Sequence, residues 1–183
     1  MSMSRKVPPG LYAQLETLPE YKIGEIISGT VYVHPRLPTV QCIAKSNLGM
    51  DLNERFGFRR GRWRIVFEVE VHLGPNVVVP TISGWTAERW PKGHDAFTTV
   101  RPDWLCEVLM PSTRGLVRDQ KLTLYAEHGV PFCWLLDPLE KTLEVFVLHD
   151  GAYQIGPTFQ GDMPVTAPPF AAQTFELGLL WEP

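Results

Sequence analysis

The chain has no apolar run near the ~20 residues that a membrane-spanning helix needs, and its start lacks the apolar core of a secretory signal. Cysteine is scarce. Cys42, Cys106 and Cys133 are odd in number, and two lie in apolar strand patterns, so they read as reduced, buried thiols of a cytoplasmic protein. No Cys/His spacing resembles a zinc site. Excess positive charge is missing too: 17 Lys+Arg against 20 Asp+Glu leave a formal net charge of -3. Any nucleic-acid binding therefore needs a local basic patch. The glycine-rich phosphate loop and the serine nucleophile elbow are both absent. What is present is an ordinary globular composition, 44% hydrophobic and 20% charged. It suits a single domain over residues 1–183, with a flexible tail at 1–7 and a proline-rich tail from about 157.

Along the chain, Leu11 to Leu18 predicts a short helix closed by Pro19. The β-branched runs around Ser28-Gly29 predict a hairpin over Tyr21–Val33. Apolar residues at Val40, Ile43, Ala44, Leu48, Leu52 and Phe56 predict a helix from Thr39. Trp63 to Leu73 reads as one strand, turned at 74–76, with Val77–Ile82 returning. Residues 84–100 read as loop. A strand at Asp103–Leu109, a helix at Leu116–His128 and a buried strand at Phe132–Leu136 follow. A hairpin around Asp150-Gly151 closes the body, and FELGLLW docks on it. This order predicts an α/β or α+β fold with a mixed sheet flanked by helices.

The chemistry concentrates in PDWLCEVLMPSTRGLVRDQKLTLYAEHGVPFCWLLDP (102–138). Alternation puts Asp103, Leu105 and Glu107 on one strand face and Trp104, Cys106 and Val108 on the other. Carboxylates on a central strand are costly to bury without a partner, and a divalent metal is one such partner. Lys121, on the next helix, reaches toward Glu107 if that helix packs back over the sheet. An acid, a metal and a lysine are what phosphodiester hydrolysis uses. The plainer alternative is a solvated Lys121 paired to Asp119 or Glu127. Glu68, Glu70 and His72 share a face, and a Pro75-Asn76 turn places Glu70 opposite Thr81; the alternative is simply the wet face of a sheet. Arg59, Arg60 and Arg62, with Arg55 and Arg64, form the one basic cluster, either a phosphate-tracking patch or a solvated turn. His34, His94 and His149 show no acid partner in the sequence.

The stretches VVVPTISGWTAERWP (77–91) and RPDWLCEVLMPSTRGLVRDQKLTLYAEHGVPFCWLLDPLEKTLEVFVL (101–148), with EIISGTVYV and EVEVHLG upstream, resemble the Uma2 family of bacterial proteins described as restriction endonucleases. The resemblance implies a PD-(D/E)XK restriction endonuclease-like core. It also implies Mg²⁺ or Mn²⁺ as cofactor, DNA as partner and a homodimer. It matches Glu107 to the family's strand acid, with Asp103 before it, Lys121 to the helix lysine and Glu70 to a glutamate on a preceding strand. By this match Glu107, Glu70 and Asp103 are the metal-binding acids, and Glu107, Lys121 and Glu70 the catalytic set. The chain departs from the family where Thr81 stands for the metal-binding aspartate, Leu109 for the usual lysine and Met110 for a serine. Pro38-Thr39 stands where a histidine is often found. Two functions follow: a metal-dependent endonuclease weakened at Thr81, or a degraded member serving as a nucleic-acid-binding or protein-interaction module.

Overall fold

The computed structural model describes residues 7–59, 62–93 and 95–183. Arg60, His94 and most of the expected basic tail lie outside them. Val7, the last residue of that tail, is buried against Ile26 and Val77. In chain order the elements are α1 (Pro9–Glu16), β1 (Lys22–Ile27), β2 (Thr30–Pro35), α2 (Thr39–Phe56), β3 (Trp63–Phe67), β4 (Glu70–Leu73), β5 (Asn76–Val78), β6 (Ile82–Thr86), β7 (Phe97–Thr98) and β8 (Trp104–Val108). A broken helix follows: α3 (Arg114–Leu116), a π-helical turn (Val117–Lys121) and α4 (Leu122–Glu127). Then come β9 (Phe132–Asp137), β10 (Thr142–His149), β11 (Ala152–Gln160), β12 (Pro164–Val165), β13 (Phe175–Glu176) and a 3-10 turn (Leu177–Trp181).

Two sheets carry the fold. One has the order β2-β1-β5-β4-β7 and the other β11-β10-β9-β8-β6-β3, while β12 and β13 pair separately. Both sheets are mixed, with β8 parallel to β9 and β4 parallel to β7. The tight hairpins form where the sequence predicts. Ser28-Gly29 and Asp150-Gly151 each hold two successive positive φ angles, the type I′ geometry that matches strand twist.

The six-stranded sheet is the middle layer, and its alternation sorts the core. Trp104, Cys106, Val108, Trp134 and Leu136 face α2 (Ala44, Leu48, Leu52) and the C-terminal segment. Leu105, Cys133, Leu135 and Phe146 face the other sheet and α4 through Ile27, Val71, Val78, Leu124 and Tyr125. Strand β8 is buried along its whole length, as a strand covered on both faces must be. Strand β11 extends to Gln160, so the tail starts later than expected. That tail does dock. Phe170 sits edge-on to Trp63, Trp104 and Trp134 at centroid distances of 5.0, 5.1 and 5.7 Å, arrangements favoured by ring quadrupoles.

One expectation fails in an informative way. Trp63–Leu73 is not a single strand: Glu68 takes φ 52°, and the chain passes there from one sheet to the other. Its partner crosses with it, from β5 to β6, through Val79, Pro80 and Thr81. The turn also differs. Gly74, at φ 62°, takes the bend, so Leu73 pairs with Asn76 and Val71 with Val78. Asn76 is free for strand duty, its side chain bonding Leu73 O and Ser28 N. The register therefore shifts by two, and Glu68 rather than Glu70 meets Thr81, its N–H donating to Thr81 O at 3.3 Å.

Among the described residues no helix is long and apolar enough to cross a membrane. Because Phe170 joins three tryptophans across the sheet face, Phe170→Ala is expected to cost about 3–5 kcal/mol, read as a lower urea midpoint at unchanged m-value.

Candidate active site

The two sheets splay apart where the chain crosses between them, and the space left is a narrow cleft. Its walls include Glu25 and His34 from β1 and β2, Glu68 and Thr81 from the crossing, Glu107 from β8 and Lys121 from the π-helical turn. The open room is about 30 Å³, enough for one or two waters.

Lys121 is the centre of the site. It is 2% exposed, and its Nζ lies 2.7 Å from Glu25 Oε1 and 2.7 Å from Glu107 Oε1. The solvated reading of Lys121 is therefore wrong. The π-helical turn inserts an extra residue per turn, and the helix it interrupts aims Lys121 inward onto the sheet junction. Tyr125, one turn on, donates its hydroxyl to Glu107 Oε1 at 2.5 Å. Glu25 Oε1 also accepts the Val79 N–H at 2.8 Å.

Burial sets the electrostatics and the ion triad overrides it. Burial alone raises the Glu25 carboxyl. The Lys121 charge and hydrogen bonds from His34, Lys121 and the Val79 N–H more than reverse this, holding it at about 2 against an ordinary 4.5. Burial likewise lowers Lys121, but Glu107 and Glu25 together push it above its ordinary value. Tyr125 moves well upward, first through burial and then through the Glu107 charge. At neutral pH the site thus holds an ionised Glu25, an ammonium and a neutral phenol.

Thr81 stands against Glu107. Its hydroxyl donates to Glu107 Oε2 at 3.4 Å and accepts the Val108 N–H at 3.2 Å. A divalent metal needs anionic oxygens in number. Among the described residues no three His, Cys, Asp or Glu side chains converge to hold one. Thr81 offers only a neutral hydroxyl that already has two partners, and the Lys121 ammonium occupies the place between the two acids. The residues present do not fit a catalytic metal.

The remaining expected residues lie elsewhere. Glu70 lies outside the cleft lining, beside it, accepting Tyr12 OH at 2.7 Å and lying 2.6 Å from His72 Nε2; the two-residue register shift takes it past Thr81. Asp103 is four residues up the chain from Glu107, roughly 13 Å in an extended strand. There it clamps the β6 end, taking Thr86 N at 2.9 Å and Arg89 Nε at 2.7 Å. Glu68 does line the cleft, where Lys45 at 2.9 Å and Arg36 at 3.3 Å neutralise it. In the basic cluster Arg59 and Arg62 are exposed. Arg62 pairs with Glu88, Arg55 with Asp51, and Arg64 lies over the Phe58 ring.

Glu25, Tyr125 and the acid partner of His34 are new. Glu25 carries the signal that marks Glu107, an acid inside an apolar strand run (KIGEII). Tyr125 is legible as the i+4 neighbour of Lys121.

Comparison with known proteins agrees with this architecture. A solved structure described as a putative nuclease belonging to DUF820, from Anabaena variabilis, superposes with a TM-score of 0.77 at 22% identity, covering 93% of this chain and 96% of that one. At that identity the likeness is one of fold. No match was found among curated proteins. The model of the Uma2 family, described as "Putative restriction endonuclease", matches residues 11–179. The chain, with its restriction endonuclease-like fold, belongs to the Uma2 family.

Proposed function

We propose that this protein is a disarmed endonuclease, one that keeps the nuclease fold and engages nucleic acid but no longer hydrolyses it. The observation that carries this reading is the chemistry at Thr81. The position beside Glu107 that would anchor a metal has a neutral hydroxyl, and Lys121 ties the two remaining carboxylates together. Hydrolysis through Mg²⁺ or Mn²⁺ requires a metal to polarise the phosphate and acidify a water, and this donor set offers no seat for one. Nucleic acid as the ligand rests on the family description and on the nuclease named as structural neighbour. With a net charge of -3, binding depends on local cations such as Arg59 and Arg62, and falls steeply with salt.

Plasmid nicking in Mn²⁺ or Mg²⁺ tests the loss of chemistry. Wild type is expected at background, Thr81→Asp to gain metal-dependent nicking, and Thr81→Asp/Glu107→Ala to lose it again. Wild-type nicking that vanishes in Glu107→Ala would establish an active enzyme instead. Absence of any mobility shift with duplex or single-stranded DNA or RNA at low salt would remove nucleic acid as ligand.

In a disarmed site the ion triad has a structural job. Lys121→Met strands two buried carboxylates and is expected to cost about 3–5 kcal/mol. Glu25→Gln/Lys121→Met/Glu107→Gln, which removes all three charges, is expected to recover most of it in urea denaturation.

A further inference from the structure

We propose that His34 is a pH-sensitive latch on the cleft: its imidazolium closes the Glu25 side, and its deprotonation releases the wall formed by the end of β2. The geometry points there because both ring nitrogens face acceptors. Nδ1 lies 3.1 Å from Pro35 O, and Nε2 lies 3.4 Å from Glu25 Oε2. A neutral imidazole carries one N–H and can satisfy one of these, whereas the imidazolium carries two. Glu25 Oε2 is buried and has only this long 3.4 Å approach from His34 Nε2, so a ring nitrogen that always donates is what strengthens the contact.

Charge favours the same state. Two carboxylates around one ammonium leave one net negative charge, which a protonated His34 cancels. The groups facing His34 are Glu25 from β1 and Lys121 from the π-helical turn. Across the same cleft stand Glu107 from β8 and Glu68 from the crossing, the latter capped by Arg36 and Lys45. Burial lowers the His34 ring, but the hydrogen bond and charge of Glu25 raise it past its ordinary value, against a smaller opposing push from Lys121. The ring is 17% exposed, so solvent protons reach it.

The latch acts on a weak element. Strand β2 is the edge of its sheet, paired only with β1, and His34, Pro35 and Leu37 line the cleft. The sign follows from the raised value: the stabilisation is full below the unfolded histidine range and is lost as pH rises through the folded midpoint. Glu25, held at about 2, stays ionised throughout the neutral range. Of the pair, His34 alone changes charge there. None of this depends on whether the cleft cuts nucleic acid.

Two measurements on the whole protein test it. In a ¹H–¹⁵N imidazole titration, with the His34 signal assigned by its loss in His34→Gln, the midpoint is expected above the ordinary 6.5. Amide exchange at Val33, Arg36 and Leu37, corrected for the intrinsic rate, is expected to accelerate several-fold as pH passes that midpoint in wild type and to stay flat in His34→Gln. A His34 midpoint at or below 6.5, or the same corrected pH dependence in both proteins, would overturn the latch.

Discussion

The Glu25–Lys121–Glu107 triad is the constraint on which the rest of the molecule hangs. Taking ions out of water costs several kcal/mol each even after relaxation. A buried lysine is therefore tolerable only with both carboxylates in hydrogen-bond contact, as here at 2.7 Å each. The three residues come from three places: β1 in the outer sheet, β8 in the middle sheet and the helix that follows β8. Their mutual need fixes how the two sheets and the helix meet. Apolar packing tolerates small slides between layers, whereas a three-centre ion contact does not. Strand register, helix rotation and sheet splay are all tied to one point.

The splay itself comes from the crossing at Glu68 and Thr81. A ladder that ran straight through would keep β3–β6 and β4–β5 in one sheet and leave no cleft. The positive φ at Glu68 and Pro80, which has no N–H to donate, break the ladder on facing strands at the same level. Glu68 has no glycine-like freedom, and a non-glycine residue in that region holds some backbone strain. Its carboxylate salt-bridged to Lys45 and Arg36 secures it there.

How much of this was legible depends on whether the signal is carried by residue type or by backbone. An acid inside an apolar strand is a residue-type signal, and it singles out Glu107, which lines the cleft beside Lys121; KIGEII carries the same signal at Glu25, masked because the segment is also half of a hairpin. The lysine followed from placing the next helix over the sheet, but its inward aim comes from a π-helical turn that no composition rule announces. The split of Trp63–Leu73 was invisible because the breaking residue is a glutamate in a run of β-formers. The expected place of Glu70 opposite Thr81 is off by two register steps, since Gly74-Pro75 and Pro75-Asn76 are both plausible turns; Gly74 takes the positive φ, and the Asn76 side chain, bonded locally to Leu73 O and across the sheet to Ser28 N, holds that choice. The Ser28-Gly29 and Asp150-Gly151 hairpins are readable because each corner offers a glycine, which takes positive φ freely, between two β-forming runs.

Thr81 keeps the shape of the crossing without a carboxylate. Its hydroxyl still touches Glu107 and accepts the Val108 N–H, so the local hydrogen bonding that ties the crossing to β8 does not need a carboxylate. An acid in its place would set a third negative charge against a single ammonium. Without a metal, that arrangement pushes carboxyl groups toward protonation or strains the triad. Active sites are commonly less stable than they could be for this reason. Threonine relieves the repulsion and leaves Lys121 balanced between two acids. The neutral hydroxyl at Thr81 is thus the choice that leaves the buried triad balanced on its own charges.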